Sequence, residues 1–322
     1  MIATDLRFMA AALSLAERGV GRTGQNPSVG CIIVKDDRVV GRGWTQPGGR
    51  PHAEAMALAQ AGEAARGGTI YVTLEPCAHM SQRGPACAQL VAAAQPARVV
   101  IALQDPDPRT AGAGIAALKA AGIAVTTDVM MSQARQSLAG FLSRIESGRP
   151  FVTLKIASSL DGQIAMADGS SRWITGDLAR AHSHIERART DAILVGAGTF
   201  RADAPQLNVR LSGLDAYQPL RIMLGSADAP QGWEVIRTPQ DIAKLGCNTL
   251  LVEGGAATAT GFLRDGLVDR LMLYRAPILI GGGKACLNDI GLAHLNDAHG
   301  SWQLTDSRSL GKDRLEVYEK AN

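Results

Sequence analysis

Hydrophobic and polar positions recur with two different periods along the chain. Apolar residues three and four positions apart predict helices, and short runs rich in Val and Ile predict strands. In the first part of the chain the predicted order is helix, antiparallel hairpin, helix, strand, helix, strand and helix, which is typical of an α/β sandwich. The predicted helices cover residues 4–19, 52–65, 86–94 and 113–121; the predicted strands are CIIVKDDRVVGRGW, as two strands around a turn at Lys35–Asp37, TIYVTLEP and ARVVIALQD.

A domain boundary is predicted close to Gly148. A helical pattern runs from about Ser132 to Ile145, Gly148 and Pro150 end it, and a new strand begins at Phe151. The pattern then alternates again between strands and helices without resembling the first part, so we expect a fusion of two domains, residues 1–147 and 148–322. The predicted strands there are FVTLKIA, DAILVGAGT, LRIMLG, NTLLVEGG, LMLYRAPIL and RLEVYEK, with helices at about 177–190 and 256–266.

Composition narrows the class of protein. A chain of 322 residues is too long for one average domain of ~150 residues. Hydrophobic residues at 46% allow a sizeable core. A net charge of +3 is too small by itself to indicate nucleic acid or an anionic membrane as a partner, and we expect neither. No apolar run approaches the ~20 residues of a membrane helix, and MIATDLRFMAAAL predicts an amphipathic helix rather than a signal peptide. Five scattered cysteines predict no disulfide framework, so we expect a cytoplasmic protein.

Four residues combine metal-ligand and acid–base types in the pattern of a catalytic zinc site. His52, Cys77 and Cys87 offer one imidazole and two thiolates, which suit zinc, and three protein ligands leave a position for water. Glu54 can reach such a water and move its proton to a leaving amine. The order His-x-Glu, then Pro76–Cys77, then a second cysteine is that of the zinc-dependent base deaminases, although nine residues separate the cysteines here instead of two.

Two other interpretations of these residues remain open at this point. A histidine and two cysteines can pack in a core, as we expect for Cys31, Cys247 and Cys286. A structural zinc would favour a fourth ligand, for which His79 is the candidate, but we expect His79 to line a pocket or lie on the surface. The alternative from another functional class is thus a zinc-stabilised binding protein without turnover. Glu54 argues against it, because a structural site needs no acid–base group.

The first half resembles a known family. NPSVGCIIV, HAEAMAL, TLEPCAH and the wide cysteine spacing are similar to the deaminase half of the bifunctional riboflavin-biosynthesis deaminase/reductases. The resemblance implies a cytidine-deaminase-like, three-layer α/β/α domain. AHMSQRGPA, between the cysteines, is one residue longer than the family's usual run, which affects the expected substrate contacts of that loop. Asn26, on the family's Asn-Pro motif, is implied to contact the pyrimidine; the alternative is a turn-forming Asn before Pro.

The second half resembles the reductase half of the same family. The similar segments are LKIASSLDGQIA, SRWITG, ILVGAGTFRADAPQLNVR and LLVEGGAATATGFL, and the implied fold is a dihydrofolate-reductase-like α/β domain. The residues themselves agree, because VEGGAATATG places a glycine-rich turn between a strand and a helix, where a pyrophosphate can bind. It does not match the G-x-G-x-x-G pattern of other dinucleotide folds.

The resemblance also implies individual contacts in the reductase half. NADPH contacts are expected at Ala157, Trp173, Thr199, Asp203, Ser226, Gly255, Ala256, Ala257, Thr258, Ala259, Thr260 and Gly261. Substrate contacts are expected at Lys155, Ser171, Arg187, Leu207, Arg210 and Glu253. Arg187 and Arg210 could hold a sugar phosphate by bidentate hydrogen bonds, and the alternative for either is a solvated surface position.

The implied function is a pair of reactions on one small molecule. The first domain would use Zn²⁺ to remove an amino group from 2,5-diamino-6-ribosylamino-4(3H)-pyrimidinone 5′-phosphate. The second would use NADPH to reduce the ribosyl group to ribityl. We expect a homo-oligomer, a dimer or a tetramer. A tRNA or nucleoside deaminase with an accessory domain is the closest rival, and it is disfavoured by the small net charge and the wide cysteine spacing.

Overall fold

The computed structural model describes residues 3–79, 84–226 and 229–321. The chain divides into two compact units, Met1–Gly148 and Arg149–Asn322. The last helix of unit 1 ends at Gly148, which has a left-handed backbone with φ of 69°. Glycine adopts that conformation without strain, so the residue ends the helix as its sequence position predicts.

Unit 1 is built on a five-stranded sheet of order β2-β1-β3-β4-β5. Its strands are β1 (Gly30–Lys35), β2 (Arg38–Trp44), β3 (Thr69–Val72), β4 (Arg98–Ile101) and β5 (Ala124–Thr126). The hairpin turn lies at Asp36 and Asp37, both with positive φ, as a tight turn between antiparallel strands requires. β3, β4 and β5 run parallel, so their carboxyl ends open on one edge of the sheet.

Helices pack on the sheet of unit 1 in two groups. They are α1 (Ala3–Ala16), α2 (Ala53–Ala61), α3 (Cys87–Ala93), α4 (Ala113–Ala120), α5 (Met131–Ser137) and α6 (Ala139–Ser147). α1 contacts α5, whereas α3 contacts both α2 and α4. Gly43 allows α2 to approach β2 closely, because a Cβ there would lie 2.0 Å from the carbonyl oxygen of Ala53. This close approach fixes the start of α2, where His52 and Glu54 lie.

Unit 2 is built on an eight-stranded sheet of order β10-β9-β8-β11-β6-β12-β15-β14, with β7 and β13 as a separate pair. The strands are β6 (Phe151–Ser158), β7 (Gln163–Ala165), β8 (Ala192–Gly196), β9 (Leu220–Leu224), β10 (Trp233–Ile236), β11 (Thr249–Val252), β12 (Arg270–Arg275), β13 (Lys284–Ala285), β14 (Trp302–Leu310) and β15 (Asp313–Lys320). The strands from β10 to β12 pair in parallel, and β15 is antiparallel to both of its neighbours. β8 is buried along its whole length, as expected for a central parallel strand.

Three helices of unit 2 follow strands of this sheet. They are α7 (Asp177–Ala188), α8 (Ala197–Asp203) and α9 (Ala256–Arg264). α8 begins directly after β8, and three residues connect β11 to α9, so both helices start at the carboxyl edge of the parallel strands. Open α/β sheets bind ligands at this edge.

The structure differs from the predicted elements in several places. The single helix predicted from Ser132 to Ile145 is two helices, α5 and α6, that meet at Leu138, whose φ of −99° and ψ of 9° are not helical. Residues 197–199, predicted as the end of a strand, begin α8. The helix predicted over 4–19 ends at Ala16 and continues as a short 3₁₀ turn. The prediction omitted β5, β7, β10, β13 and β14.

Among the described residues, no helix combines the length and apolarity needed to cross a membrane.

Candidate active sites

The predicted metal ligands converge in unit 1. His52 immediately precedes α2, Cys77 lies in the loop after β3, and Cys87 is the first residue of α3. The His52 Nδ1 atom lies 3.2 Å from the Cys87 Sγ and 3.7 Å from the Cys77 Sγ. Metal–ligand bonds of 2.0–2.3 Å at tetrahedral angles separate ligand atoms by roughly 3.3–3.8 Å. The three side chains therefore fit one zinc ion, and they form the one such His/Cys/Asp/Glu group among the described residues.

The protonation of the two thiols also fits a metal site. A hydrogen bond with Cys87 lowers the pKa of Cys77 to about 4, with His52 adding to the effect. The same shared proton raises the pKa of Cys87. Metal binding to a thiol pair displaces such a proton, so the arrangement suits a cation between the sulfurs.

Glu54 lies beside this cluster without belonging to it. The residue is in the first turn of α2 and is 3% exposed. Burial raises the pKa of its carboxyl group, while the nearby His52 opposes that shift. A carboxyl group whose proton affinity is raised next to a metal site is suited to accept and return a proton.

A cavity of about 270 Å³ opens onto the cluster. The predicted residues that line it are Asn26, His52, Glu54, Cys77 and His79. Asn26 is held by the loop around it, since its backbone carbonyl accepts a hydrogen bond from the Thr23 hydroxyl at 2.7 Å. His79 also lines the cavity, so of the two placements expected from the sequence, a pocket or the surface, the structure has the first.

Sequence reasoning missed several polar residues of this cavity. They are Gln25, Thr45, Arg50, Glu75, Asp105, Asp107, Arg109 and Arg144. Burial raises the pKa of Asp105 to about 6. Asp107 accepts a hydrogen bond from the Arg109 Nε at 2.9 Å. The polar residues QDPDPR come at the end of the predicted strand ARVVIALQD and directly after it. Because the loops after neighbouring parallel strands meet at one edge of a sheet, the sequence could have indicated that these residues belong to the site.

A cavity of about 540 Å³ in unit 2 gathers most of the predicted reductase residues. Those that line it are Lys155, Ala157, Ser171, Trp173, Arg187, Thr199, Asp203, Arg210, Glu253 and Gly255. Trp173 is 66% exposed and thus offers its ring to the cavity or to solvent. The cavity also includes His184 and Tyr274, which the sequence did not single out.

Other predicted reductase residues lie outside that cavity. Ser226 is exposed and follows β9, at the carboxyl edge of the parallel strands. The Leu207 side chain is buried with Ile193, Val195 and Leu251. In α9 the side chains of Thr258, Ala259 and Thr260 are buried, whereas Ala256, Ala257 and Gly261 are at least partly exposed.

Ion pairs organise the centre of the reductase cavity. The Arg187 Nε and Nη2 atoms donate to the two carboxylate oxygens of Glu253 at 2.7 and 2.8 Å, and the Lys155 Nζ lies 3.7 Å from the same carboxylate. Burial opposes ionisation of Glu253, but Lys155 and Arg187 outweigh it and lower its pKa to about 2. Arg210, by contrast, is exposed and donates to the Asn208 side chain at 2.7 Å. Arg210 is therefore the more available of the two arginines for an anionic group.

The glycine-rich turn after β11 lies against the segment that follows β8. The Gly255 backbone N–H donates to the Thr199 hydroxyl at 3.0 Å. A Cβ on Gly254 would lie 2.6 Å from the Cβ of Thr258, so only glycine allows this tight entry into α9. The start of α9 therefore faces the cavity with open backbone, which suits a pyrophosphate.

Comparisons with known proteins cover both units. Residues 2–103 match the model of the cytidine and deoxycytidylate deaminase zinc-binding region, and residues 150–315 match the RibD C-terminal domain. Riboflavin biosynthesis protein RibD of Escherichia coli is 40% identical, covering 96% of this chain and 97% of its own. The protein of that name from Mycobacterium tuberculosis is 40% identical over 92% and 91% of the two chains.

Two solved structures are similar to this protein over 99% of the chain. RibD of Acinetobacter baumannii superposes with a TM-score of 0.90 at 37% identity, covering 99% of both chains. The Thermotoga maritima diaminohydroxyphosphoribosylaminopyrimidine deaminase/5-amino-6-(5-phosphoribosylamino)uracil reductase does so with 0.87 at 29% identity, again covering 99% of both. The two expected folds, deaminase-like and then dihydrofolate-reductase-like, are thereby confirmed.

Proposed function

This chain belongs to the RibD family of bifunctional riboflavin-biosynthesis proteins, and from that premise we propose which of its residues carry out the two reactions. It is an enzyme with a zinc-dependent deaminase domain and an NADPH-dependent reductase domain, and it acts on a small molecule. We propose that the substrate is 2,5-diamino-6-ribosylamino-4(3H)-pyrimidinone 5′-phosphate. Deamination followed by reduction gives 5-amino-6-ribitylamino-uracil 5′-phosphate.

In the deaminase domain, His52, Cys77 and Cys87 hold the zinc. A zinc ion held there would lower the pKa of water to ~7 and so make hydroxide available at neutral pH. Glu54 would accept a proton from the hydrolytic water and return it to the leaving amino group, since its buried carboxyl group adjoins the metal cluster. Asn26, which lines the same cavity, would contact the pyrimidine. The observation that supports this assignment best is the three-ligand cluster with a separate buried carboxylate beside it.

In the reductase domain the protein positions two reactants. The nicotinamide cofactor supplies the hydride, and the chain's own residues orient it against the acceptor carbon. We propose that Thr199, the segment Gly255–Gly261 and Ser226, which lie towards the carboxyl edge of the parallel strands, would hold this cofactor. Ala157, Trp173 and Asp203 complete its contacts, with Ala256, Ala257, Thr258, Ala259 and Thr260 in the turn and helix.

The substrate then occupies the cationic side of the same cavity. Arg210 faces its anionic group, and Arg187 and Lys155 frame Glu253, whose ionised carboxylate can accept hydrogen bonds from sugar hydroxyls. We propose Ser171, which lines the cavity, and the backbone of Leu207, whose side chain is buried outside it, as further substrate contacts. The support is the convergence of these polar groups in one cavity.

The domain boundary, location and assembly are parts of the same proposal. We place the division between residues 147 and 148, which agrees within one residue with the compact units. The five cysteines are free thiols, which suits a reducing cytoplasm. We propose a homo-oligomer, a dimer or a tetramer, which light scattering of the purified protein would test.

Two assays on the purified enzyme test the function. With the pyrimidine substrate we expect ammonia release and, when NADPH is present, its oxidation; with the deaminated intermediate we expect NADPH oxidation alone. NADPH should give a higher kcat/KM than NADH. Cytidine and RNA serve as controls, and deamination of either in place of the pyrimidine would favour the nucleoside or tRNA deaminase alternative. Absence of ammonia release from every substrate would contradict the assignment.

A further inference from the structure

We propose that Glu75 is a positioning residue of the deaminase site: its buried carboxylate fixes the Asp105–Ile115 segment against the backbone that carries Cys77, and this fixes the substrate cavity. The inference rests on the proposed deaminase function. Glu75 does not ligate the metal in that function and does not transfer the proton.

The carboxylate of Glu75 accepts hydrogen bonds from three backbone N–H groups. The residue lies two positions before Cys77 and is 3% exposed. Its Oε2 accepts hydrogen bonds from the backbone N–H groups of Asp105 at 3.2 Å and Gly112 at 3.0 Å, and its Oε1 accepts one from Ile115 at 3.0 Å. Hydrogen bonds to an ionised acceptor are stronger than neutral ones, and each donor would be costly to leave buried and unmet.

These three donors lie along the segment from the loop after β4 to the start of α4. Asp105 lies in that loop, Gly112 directly precedes α4, and Ile115 lies in the first turn of α4. One side chain therefore holds the segment at both Asp105 and the start of α4.

The loop held in this way forms one wall of the deaminase cavity. Asp105, Asp107 and Arg109 line it, and the Thr110 hydroxyl lies 3.3 Å from the Nδ1 of His79. A displacement of the loop would therefore move several cavity groups together.

A close backbone contact joins the same elements independently. A Cβ on Gly114 would lie 2.1 Å from the carbonyl oxygen of Pro76, so α4 packs directly on the residue before Cys77. The Glu75 N–H also donates to the Leu103 carbonyl at 2.9 Å. The metal-ligand loop and the cavity wall thus meet at Glu75 and Pro76, and a conservative substitution of Glu75 removes the carboxylate from that junction.

Unit 1 offers a matched control in Asp5. It is 4% exposed, and its carboxylate also accepts three hydrogen bonds, from the Tyr71 hydroxyl at 3.0 Å and the Arg98 Nη1 and Nη2 at 3.0 and 2.9 Å. Asp5 does not line the deaminase cavity. Asp5→Asn should therefore destabilise unit 1 without changing the substrate site.

The test compares Glu75→Gln with Asp5→Asn in the full-length enzyme. Gln keeps the size of the side chain but has one acceptor oxygen for three donors. We expect the deaminase KM of Glu75→Gln to rise about tenfold or more, the change that corresponds to one lost charge-assisted hydrogen bond. We also expect kcat to change much less, and zinc content and reduction of the deaminated intermediate to stay at wild-type values. Asp5→Asn should lower the unfolding midpoint with the KM unchanged.

The kinetic measurements are made at a temperature well below the unfolding midpoints of both variants, so that each result supports or contradicts the proposal. A wild-type KM in Glu75→Gln, with a stability loss like that of Asp5→Asn, would make Glu75 a merely structural residue. Loss of zinc at an unchanged KM would also overturn the role proposed. If Glu75→Gln does not fold, Glu75→Asp keeps the charge on a shorter side chain and should give an intermediate KM. Failure of the wild-type enzyme to release ammonia would instead overturn the deaminase assignment itself.

Discussion

At the scale of single residues, burial and charge separate the roles of groups that look alike in the sequence. Burial opposes ionisation of both Glu54 and Glu253, yet it raises the pKa of Glu54, whereas Lys155 and Arg187 lower that of Glu253 to about 2. The first is suited to proton transfer and the second to a fixed negative charge.

Replacing Glu54 by Gln tests the proton-transfer role. Gln keeps the size and polarity of the side chain but cannot accept the proton. General acid–base catalysis contributes ~10²–10⁴-fold, so ammonia release should fall by at least that factor. Zinc content, measured by elemental analysis, should stay at about one per chain, since Glu54 is not a ligand in our assignment. Deamination at the wild-type rate would remove Glu54 from the mechanism.

Replacing Arg210 by Ala tests the anion contact in the reductase. Loss of one charged hydrogen-bond partner costs ~1.5–3 kcal/mol of binding, so the reductase KM should rise roughly tenfold or more while ammonia release continues. Arg314→Ala is the matched control, because Arg314 is exposed in β15 and does not line the cavity. Equal reductase kinetics in the two variants would mean that Arg210 is a solvated surface residue that does not bind the anionic group.

At the scale of elements, one carboxylate joins three parts of unit 2. Glu253 follows β11, Arg187 lies in the last turn of α7, and Lys155 lies in β6. β11 pairs with β6, so Lys155 and Glu253 reach one another from neighbouring strands. The ion pairs therefore couple the packing of α7 to the sheet.

The lowered pKa of Glu253 predicts a loss of stability in acid. A carboxyl group whose pKa falls from 4.5 to about 2 on folding stabilises the folded state above pH 4.5. That contribution, on the order of 3 kcal/mol at full ionisation, disappears as the pH falls from 4.5 towards 2. Denaturant unfolding followed by tryptophan fluorescence reports mainly on unit 2, which holds Trp173, Trp233 and Trp302.

Glu253→Gln is the control for this pH dependence. The variant should be less stable than wild type at neutral pH, and the difference between the two should shrink as the pH falls through that window. A difference that stays constant from neutral pH to pH 2 would mean that Glu253 is not held ionised by Lys155 and Arg187.

At the scale of the whole molecule, the two chemistries lie in separate units of one chain. The metal cluster lies before Gly148, and the residues assigned to the cofactor all follow Arg149. The assigned site residues contain no member common to both reactions.

The double variant Cys77→Ser, Cys87→Ser tests this separation. Removal of two of three ligands should abolish zinc binding and ammonia release, since zinc prefers thiolate over hydroxyl ligands. NADPH oxidation with the deaminated intermediate should continue at the wild-type rate. Full retention of zinc would place the metal elsewhere, and loss of both activities in a protein that remains folded would contradict two independent sites.

The fold could be predicted where the pattern of side chains is itself local. The hairpin turn at Asp36–Asp37, the end of α6 at Gly148 and the strand–turn–helix around Gly254 depend on neighbouring residues, and the sequence places all three. Short or exposed strands carried too little pattern. β14 has no buried position along its nine residues, and the alternation of apolar and polar residues in WQLT does not continue into DSRS, so the strand is defined by its pairing with β15.

By itself, the sequence determined the two-unit order, the metal cluster with its separate carboxylate, and the family. These features depend on residue types and their order along the chain, so they can be identified without knowing how the chain folds. Only the tertiary structure decided that Glu75 accepts hydrogen bonds from three backbone amides that lie 30 to 40 residues later in the chain, or that Arg187 is paired with Glu253 while Arg210 is exposed. The reason is physical: hydrogen bonds and ion pairs across parallel strands depend on register and burial, and neither is encoded in the spacing of residues along the chain.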